Sequence, residues 1–230
     1  MYLLKDFLNT IFPDICLACQ YALHKGEEEV CTRCRFAMPH TEHHLNQEND
    51  FWKKFSATLP IKYALSYLKY QQKGISQRLI HALKYYESQE VGKLIGRWHG
   101  SLLADHGYKD KFDYLIPVPL HPLKLAKRGY NQSDCFAEGL ASALETTWSP
   151  TFLKRNKNTE TQTRKERNER WANVANIFEA TEPETLKNKH VAIVDDVVTT
   201  GSTLDACIRA VLACNVASVS LIAIAVAGEL

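Results

Sequence analysis

The 230-residue sequence lacks an apolar run long enough to cross a bilayer; its longest, near the C-terminus, is broken by Ser218 and Ser220. It also lacks a secretory signal. "MYLLKDFLNTIFPD" interrupts its apolar residues at Lys5 and Asp6, and no small-residue cleavage site follows. Leu3, Leu4, Phe7, Leu8 and Ile11 instead recur at helical spacing before Pro13. These absences predict a cytoplasmic protein without stable membrane insertion, in a compartment that keeps thiols reduced. Two nucleotide-binding signatures are missing as well: the G-x-x-x-x-G-K-[ST] loop and the three spaced glycines of a dinucleotide site. Internal repeats and low-complexity segments are absent. Apolar residues make up 45% and charged residues 23%, which excludes wholesale disorder. The length suits one domain of ordinary size with a small appendage.

Net charge is only +2, but it is unevenly placed. Lys124, Lys127 and Arg128 lie in a stretch, 117–131, that holds no acid, and residues 153–173 hold seven Lys or Arg against three Glu. The two windows carry +3 and +4, so the rest of the chain is −5 by subtraction. Concentrated positive charge points to anionic partners.

Composition separates three regions: 1–40, with a short amphipathic helix and four of the seven cysteines; 41–60, polar and read as a linker anchored at Phe51 and Trp52; and 61–230, patterned as an α/β domain. In the last, "KYALSYLKY" reads as a strand and "SQRLIHALKYY" as a helix burying Leu79, Ile80, Leu83 and Tyr86. "VGKLIGRWHGSLLADH" reads as a helix weakened by three glycines. "YLIPVPL" is a short strand ended by Pro119, and "SDCFAEGLASALE" a helix capped by Ser133 or Asp134. "VAIV" shows no polar alternation, as expected of a strand covered on both faces of a parallel sheet. "TLDACIRAVLA" and "ASVSLIAIAVA" then complete a strand–helix–strand unit.

The stretch "VAIVDDVVTTGST" (191–203) runs four apolar residues into two adjacent carboxylates and then into hydroxyl residues around a glycine. Ligands of open α/β sheets bind beyond the carboxyl ends of the strands, where Asp195 and Asp196 are expected. "TTGST" would present unpartnered N–H groups at a helix N-terminus, a place that favours an anion. Gly201 allows close backbone approach, and Thr199, Thr200, Ser202 and Thr203 add donors. A phosphate matches the donors and a ribose matches the carboxylates. The plainer alternative is an ordinary turn whose aspartates cap the helix.

Four cysteines, Cys16-x2-Cys19 and Cys31-x2-Cys34, form two knuckles suited to one tetrahedral Zn²⁺, a closed and therefore structural site. Two disulfides are the alternative. His24, His40, His43 and His44 are surplus to that geometry. Cys135, Cys207 and Cys214 fall in predicted helices and read as buried packing residues.

The 191–203 stretch resembles the phosphoribosyl pyrophosphate (PRPP) motif of type I phosphoribosyltransferases. With "PVPL", "RGYNQ", "LKY", a Gln-Arg-Asn segment and the cysteine quartet, the chain resembles the ComF family (ComFC and GntX-like competence proteins) over nearly its whole length. The resemblance implies a type I phosphoribosyltransferase-like parallel sheet flanked by helices, with a small N-terminal four-cysteine zinc module. It implies Asp195 and Asp196 on the ribose hydroxyls, Thr199, Thr200, Gly201, Ser202 and Thr203 on the 5′-phosphate, and Mg²⁺ bound with PRPP. Lys127, Arg128, Gly129, Asn131 and Gln132 would face the pyrophosphate; a solvated loop with capping Asn and Gln is the alternative. Gln162, Arg164, Arg167 and Arg170 would belong to a mobile loop over the ligand, against a solvated helix or a single-stranded DNA surface as alternatives. The resemblance further implies a role in DNA uptake, with single-stranded DNA and a competence helicase as candidate partners. The other reading is an active transferase on an unidentified acceptor. The chain ends at Leu230 just after the strand that follows the motif, so an acceptor hood is expected only from residues before the first sheet strand.

Overall fold

The computed structural model describes residues 13–85, 88–156 and 177–228. The "VAIV" run forms the heart of β6 (His190–Val198), with Val191 to Val194 fully buried. It pairs in parallel with β7 (Ser218–Ala227) on one side and β2 (Tyr114–Pro117) on the other. β1 (Ile61–Tyr70) joins beyond β7, and the two-residue β3 (Thr147–Trp148) beyond β2. The sheet order is β1-β7-β6-β2-β3, parallel throughout. Burial on both faces explains why polar alternation is missing. Ala192 and Val194 enter one apolar cluster with Leu79, Leu83, Ile95, Phe136 and Leu140, and Val191 and Ile193 enter another with Phe51, Phe55, Leu204 and Ile208.

The first of those faces carries α3 (Ile75–Tyr85), α4 (Gln89–Asp105) and α6 (Gln132–Leu144), with the short α5 (Pro122–Arg128) after β2. The second carries α8 (Ser202–Leu212) and α2 (Asp50–Ser56). β4 (Leu153–Arg155) and β5 (Phe178–Ala180) form an antiparallel pair outside the sheet, followed by α7 (Pro183–Leu186). α6 starts earlier than its sequence suggests, capped by Asn131, whose side chain accepts from Ser133 N–H. The α4 glycines do more than weaken a helix. A Cβ on Gly96 would sit 2.4 Å from the Phe136 carbonyl oxygen, and one on Gly139 of α6 would sit 2.1 Å from that of Lys93. The two helices therefore cross nearly backbone to backbone, which offsets the propensity cost with close packing.

The polar stretch 41–60, read as a linker, holds ordered structure. Pro39 and Thr41 bond to Lys69 and Tyr67, covering the free edge of β1. Asn49 then caps α2, accepting from Trp52 N–H at 2.9 Å and donating to the Ala64 carbonyl at 3.0 Å. Phe51 and Phe55 are buried beneath it. Two apolar residues at helical spacing were enough to dock this helix, although the surrounding sequence is polar. α1 (Thr32–Phe36) belongs to the cysteine segment, which joins the first apolar cluster through Cys16, Ala18, Val30, Cys34 and Met38.

Candidate functional site

From β2 the chain proceeds outward to β3, and from β6 it proceeds the other way to β7. The crevice between the carboxyl ends of β2 and β6 is thus the point where the winding direction changes, the usual ligand position in such sheets. β2 ends its pairing with β6 at Pro117 opposite Val194, apart from one further bond from Val118 N–H to the Val194 carbonyl. β6 runs on beside β7 to Val198. Asp195 and Asp196 are therefore not at the end of their strand, as its sequence suggests, but at the point where β2 no longer covers it.

Asp195 Oδ1 accepts from Ser133 Oγ at 3.3 Å and from Asp196 N–H at 2.8 Å. Burial, reinforced by the neighbouring Asp196 carboxylate, pushes the Asp195 carboxyl up to about 7. Asp196 Oδ2 lies 2.7 Å from Lys84 Nζ at the end of α3, with both side chains largely covered. Asp195→Asn is expected to raise the melting temperature of the ligand-free protein at pH 8, by an amount that shrinks towards pH 4. Unfolded, the carboxyl titrates at about 3.9; folded, near 7. Between those values the native state holds the extra proton, so stability falls as pH rises through the window, and the amide removes that loss. A difference independent of pH would overturn this reading.

The chain turns after β6 through Thr199 and Thr200, both exposed, to Gly201, whose φ of +84° lies in the left-handed region. Gly201 is the N-cap of α8 and has no side chain to cap it, so the first-turn N–H groups remain available to an outside acceptor. Thr200 and Ser202 hydroxyls lie 3.2 Å apart at this opening. α2 leans on the loop from above: a Cβ on Gly201 would fall 2.6 Å from Phe55 Cζ, and Lys54 Nζ donates to the Thr199 carbonyl at 2.6 Å.

Across the crevice, Lys84, Tyr85, Lys124, Lys127, Arg128 and Tyr130 line a cleft of about 310 Å³. The Arg128 guanidinium stands 5.7 Å over the Tyr85 ring and donates to Gln132 Oε1 at 2.7 Å. Lys127 and Arg128 thus line the cleft, and Gly129, at φ +77°, turns the chain out of α5. Asn131 and Gln132 are buried instead: Asn131 caps α6 and donates to the Val118 carbonyl, and Gln132 holds Arg128. Gln162, Arg164, Arg167 and Arg170 lie outside the described residues.

The sulfur atoms of Cys16, Cys19, Cys31 and Cys34 all lie within 4.8 Å of one another, and none forms a disulfide. The Cys19–Cys31 sulfur separation is 3.7 Å. A tetrahedral ion with Zn–S bonds of about 2.3 Å would set its sulfurs about 3.8 Å apart, so the quartet fits such an ion. Burial opposes ionisation of Cys16, but N–H donors from Cys31, Cys19 and Ala18 bring it down to about 7, while burial pushes Cys31 and Cys34 up. Four clustered thiolates here call for a cation. Among nearby histidines, His43 instead binds Asp50 at 2.8 Å, and His40 packs on Tyr67. Cys135, Cys207 and Cys214 are buried, as expected.

A family model described as a phosphoribosyl transferase domain matches residues 81–229, a span that includes Lys84, α5, the acidic pair and the Thr-Gly loop. DNA utilization protein YhgH of Escherichia coli (strain K12) is 28% identical over 215 residues, covering 84% of this chain and 88% of that protein. Competence protein ComFC of Bacillus subtilis is 25% identical over 217 residues, covering 91% and 85%. The chain belongs to the ComF/YhgH family. Competence protein F of Haemophilus influenzae shares 39% identity over 92 residues, 40% of each chain. The solved allosteric regulatory enzyme of purine biosynthesis is 18% identical with a TM-score of 0.43, covering 62% of this chain and 30% of that one.

Three residues at the site of this ComF/YhgH-family chain escaped the sequence. Lys84, in the "LKY" at 83–85, reads from sequence as one cation on a helix face. Ser133 reads as a cap, whereas its hydroxyl reaches Asp195. Lys54 lies in the stretch read as a linker and meets a loop 145 positions away.

Proposed function

We propose that the crevice binds PRPP or a related phosphoribosyl compound. The observation that carries this is the order of groups along one turn: half-buried carboxylates at Asp195 and Asp196, then the uncapped α8 N-terminus at Thr200 to Thr203. Carboxylates accept from ribose hydroxyls, and N–H groups with hydroxyls donate to a phosphate one sugar away. The cations of the α3–α5 cleft, Lys84, Lys124, Lys127 and Arg128, would hold the pyrophosphate end. Mg²⁺, bound with PRPP, would neutralise that pyrophosphate, and the acidic pair is the donor set that suits such a hard cation. Ser133 keeps Asp195 oriented, and Lys84 limits repulsion within the pair by matching Asp196. The cysteine quartet would hold one structural Zn²⁺.

The names of the relatives, "DNA utilization" and "competence", support a cytoplasmic role in DNA uptake, with imported single strands as the handled substrate. No helix among the described residues is long and apolar enough to cross a membrane. The test is a set of parallel melts with PRPP plus Mg²⁺, ribose 5-phosphate, ribose, and a short single strand of DNA. Ligand at about 100 times its dissociation constant stabilises by about 2.7 kcal/mol, a rise of roughly 5–10 °C for a chain of this size. The phosphorylated sugars are expected to give that rise and ribose none. No response to either phosphoribosyl compound would overturn the ligand reading, and no response to DNA would remove the direct DNA contact.

A further inference from the structure

Lys54 is, among the described residues, a cation without a counter-ion in a place that already carries positive potential. Its ammonium is 2.6 Å from the Thr199 carbonyl, and its Cε would be 3.4 Å from a Cβ on Gly201. Its stem therefore crosses the residue that opens α8, and the positive end of that helix dipole lies beneath it. Several exposed lysines among the described residues also meet no carboxylate, but Lys54 is the one whose ammonium is held on the Thr199 carbonyl at the opening of α8. The one acid in the first turn of α8, Asp205, is bound by Arg209 at 2.7 Å. Two like potentials held together cost free energy unless an anion lies between them.

The Lys54 position is also fixed from behind. Asn49 caps α2 and bonds to β1, His43 Nε2 holds Asp50 at 2.8 Å, and Trp52 Nε1 donates to the Ile61 carbonyl at 3.2 Å. Phe51 and Phe55 are buried under the helix. This anchoring fixes the backbone from which Lys54 reaches the loop, so only its side-chain rotamers remain to be ordered on binding.

We propose that Lys54 is a ligand-binding residue of the phosphate site, so that α2, which precedes the first sheet strand, forms one wall of the crevice. This rests on the phosphoribosyl reading and adds to it a specificity determinant: a second positive group on the 5′-phosphate, favouring the dianion of a phosphate monoester over an uncharged sugar. An ammonium has three donors. One is used by Thr199, which leaves donors for a phosphate oxygen lying over the N–H groups of α8.

Isothermal titration of ribose 5-phosphate into the full chain tests it, with Lys54→Gln, Lys54→Arg and Lys53→Gln compared with wild type. A charge-assisted hydrogen bond of about 1.5–3 kcal/mol corresponds to a loss of roughly 10- to 100-fold in Lys54→Gln. Lys54→Arg is expected to recover most of the affinity, and exposed Lys53→Gln to stay within about twofold. Melting without ligand should not fall in any of the three, and relief of the like potentials should raise it slightly in Lys54→Gln. Wild-type affinity in Lys54→Gln would overturn the proposal while leaving the site intact. Weaker binding accompanied by lower ligand-free melting, without recovery in Lys54→Arg, would make Lys54 structural and overturn it as well. If wild type itself binds no phosphorylated sugar, the phosphoribosyl reading fails and the inference falls with it.

Discussion

Gly201→Val is expected to cost more than about 100-fold in affinity for PRPP and ribose 5-phosphate, the loss that follows when the α8 N–H groups can no longer reach a phosphate. Two effects converge at this position. The backbone sits at φ +84°, where a β-branched side chain costs about 1–3 kcal/mol. The new Cβ would also fall 2.6 Å from Phe55 Cζ, a ring tip buried in the second apolar cluster, so it can move only by shifting α2. The sheet should survive, because β6 pairs with both neighbours before the chain reaches Gly201. Ligand-free melting should fall by about 5 °C, in line with strain of that size in a chain of this length. Adding Phe55→Leu separates the causes. The smaller side chain relieves the contact with α2, so the valine should lower melting less in a Phe55→Leu background than in wild type. Affinity should not recover, because the valine still bars the phosphate from the α8 N–H groups. Normal affinity in Gly201→Val would place the phosphate elsewhere.

What the sequence revealed and what it concealed divide along the distance between interacting residues. "VAIV" needs only its own apolarity to declare a doubly covered strand, and the neighbouring "DDVVTTGST" has its chemistry within nine consecutive residues. The cysteine knuckles declare themselves through spacing for the same reason. The α4 glycines conveyed only their low helix propensity, because their meaning depends on Gly139 and Phe136 some forty residues later. Lys84 and Asp196 are 112 positions apart, and nothing local in either helix or strand predicts the 2.7 Å pair. The stretch 41–60 misled most. Its polar majority faces water, and its structural role is carried by two phenylalanines and one capping asparagine. An amphipathic helix of about two turns is a weak periodic signal, yet it places Lys54 above the loop.

Removing the metal from the cysteine quartet, or replacing Cys16 by Ser, is expected to have the largest effect on stability. Among the described residues, the stretch 13–37 has little core of its own: one short helix, α1, and isolated bridges at Ile15–Ala22 and Glu28–Val30. Its turns pass through positive φ at Gln20 and Glu29, conformations that cost a non-glycine residue free energy and persist only where the surroundings hold them. Zn²⁺ coordination by four thiolates can supply it, since binding energy at such sites acts as folding energy. The consequence would reach the crevice. The segment bonds to α4 through Glu28 with Arg97 at 2.9 Å, and to Ser88 through Glu29 at 3.1 Å. Its exit, Pro39 to Thr41, covers the edge of β1 on the way to α2. Purified protein should carry about one Zn²⁺ per chain. Chelation under non-denaturing conditions should release it, expose four reactive thiols and lower melting by roughly 6–12 °C, equivalent to about 3 kcal/mol. Ribose 5-phosphate affinity should then weaken only to the extent that α2 loosens, so Lys54→Gln should respond less to chelation than wild type does. Protein that purifies without metal and melts normally would show that hydrogen bonds among the thiols hold the segment unaided.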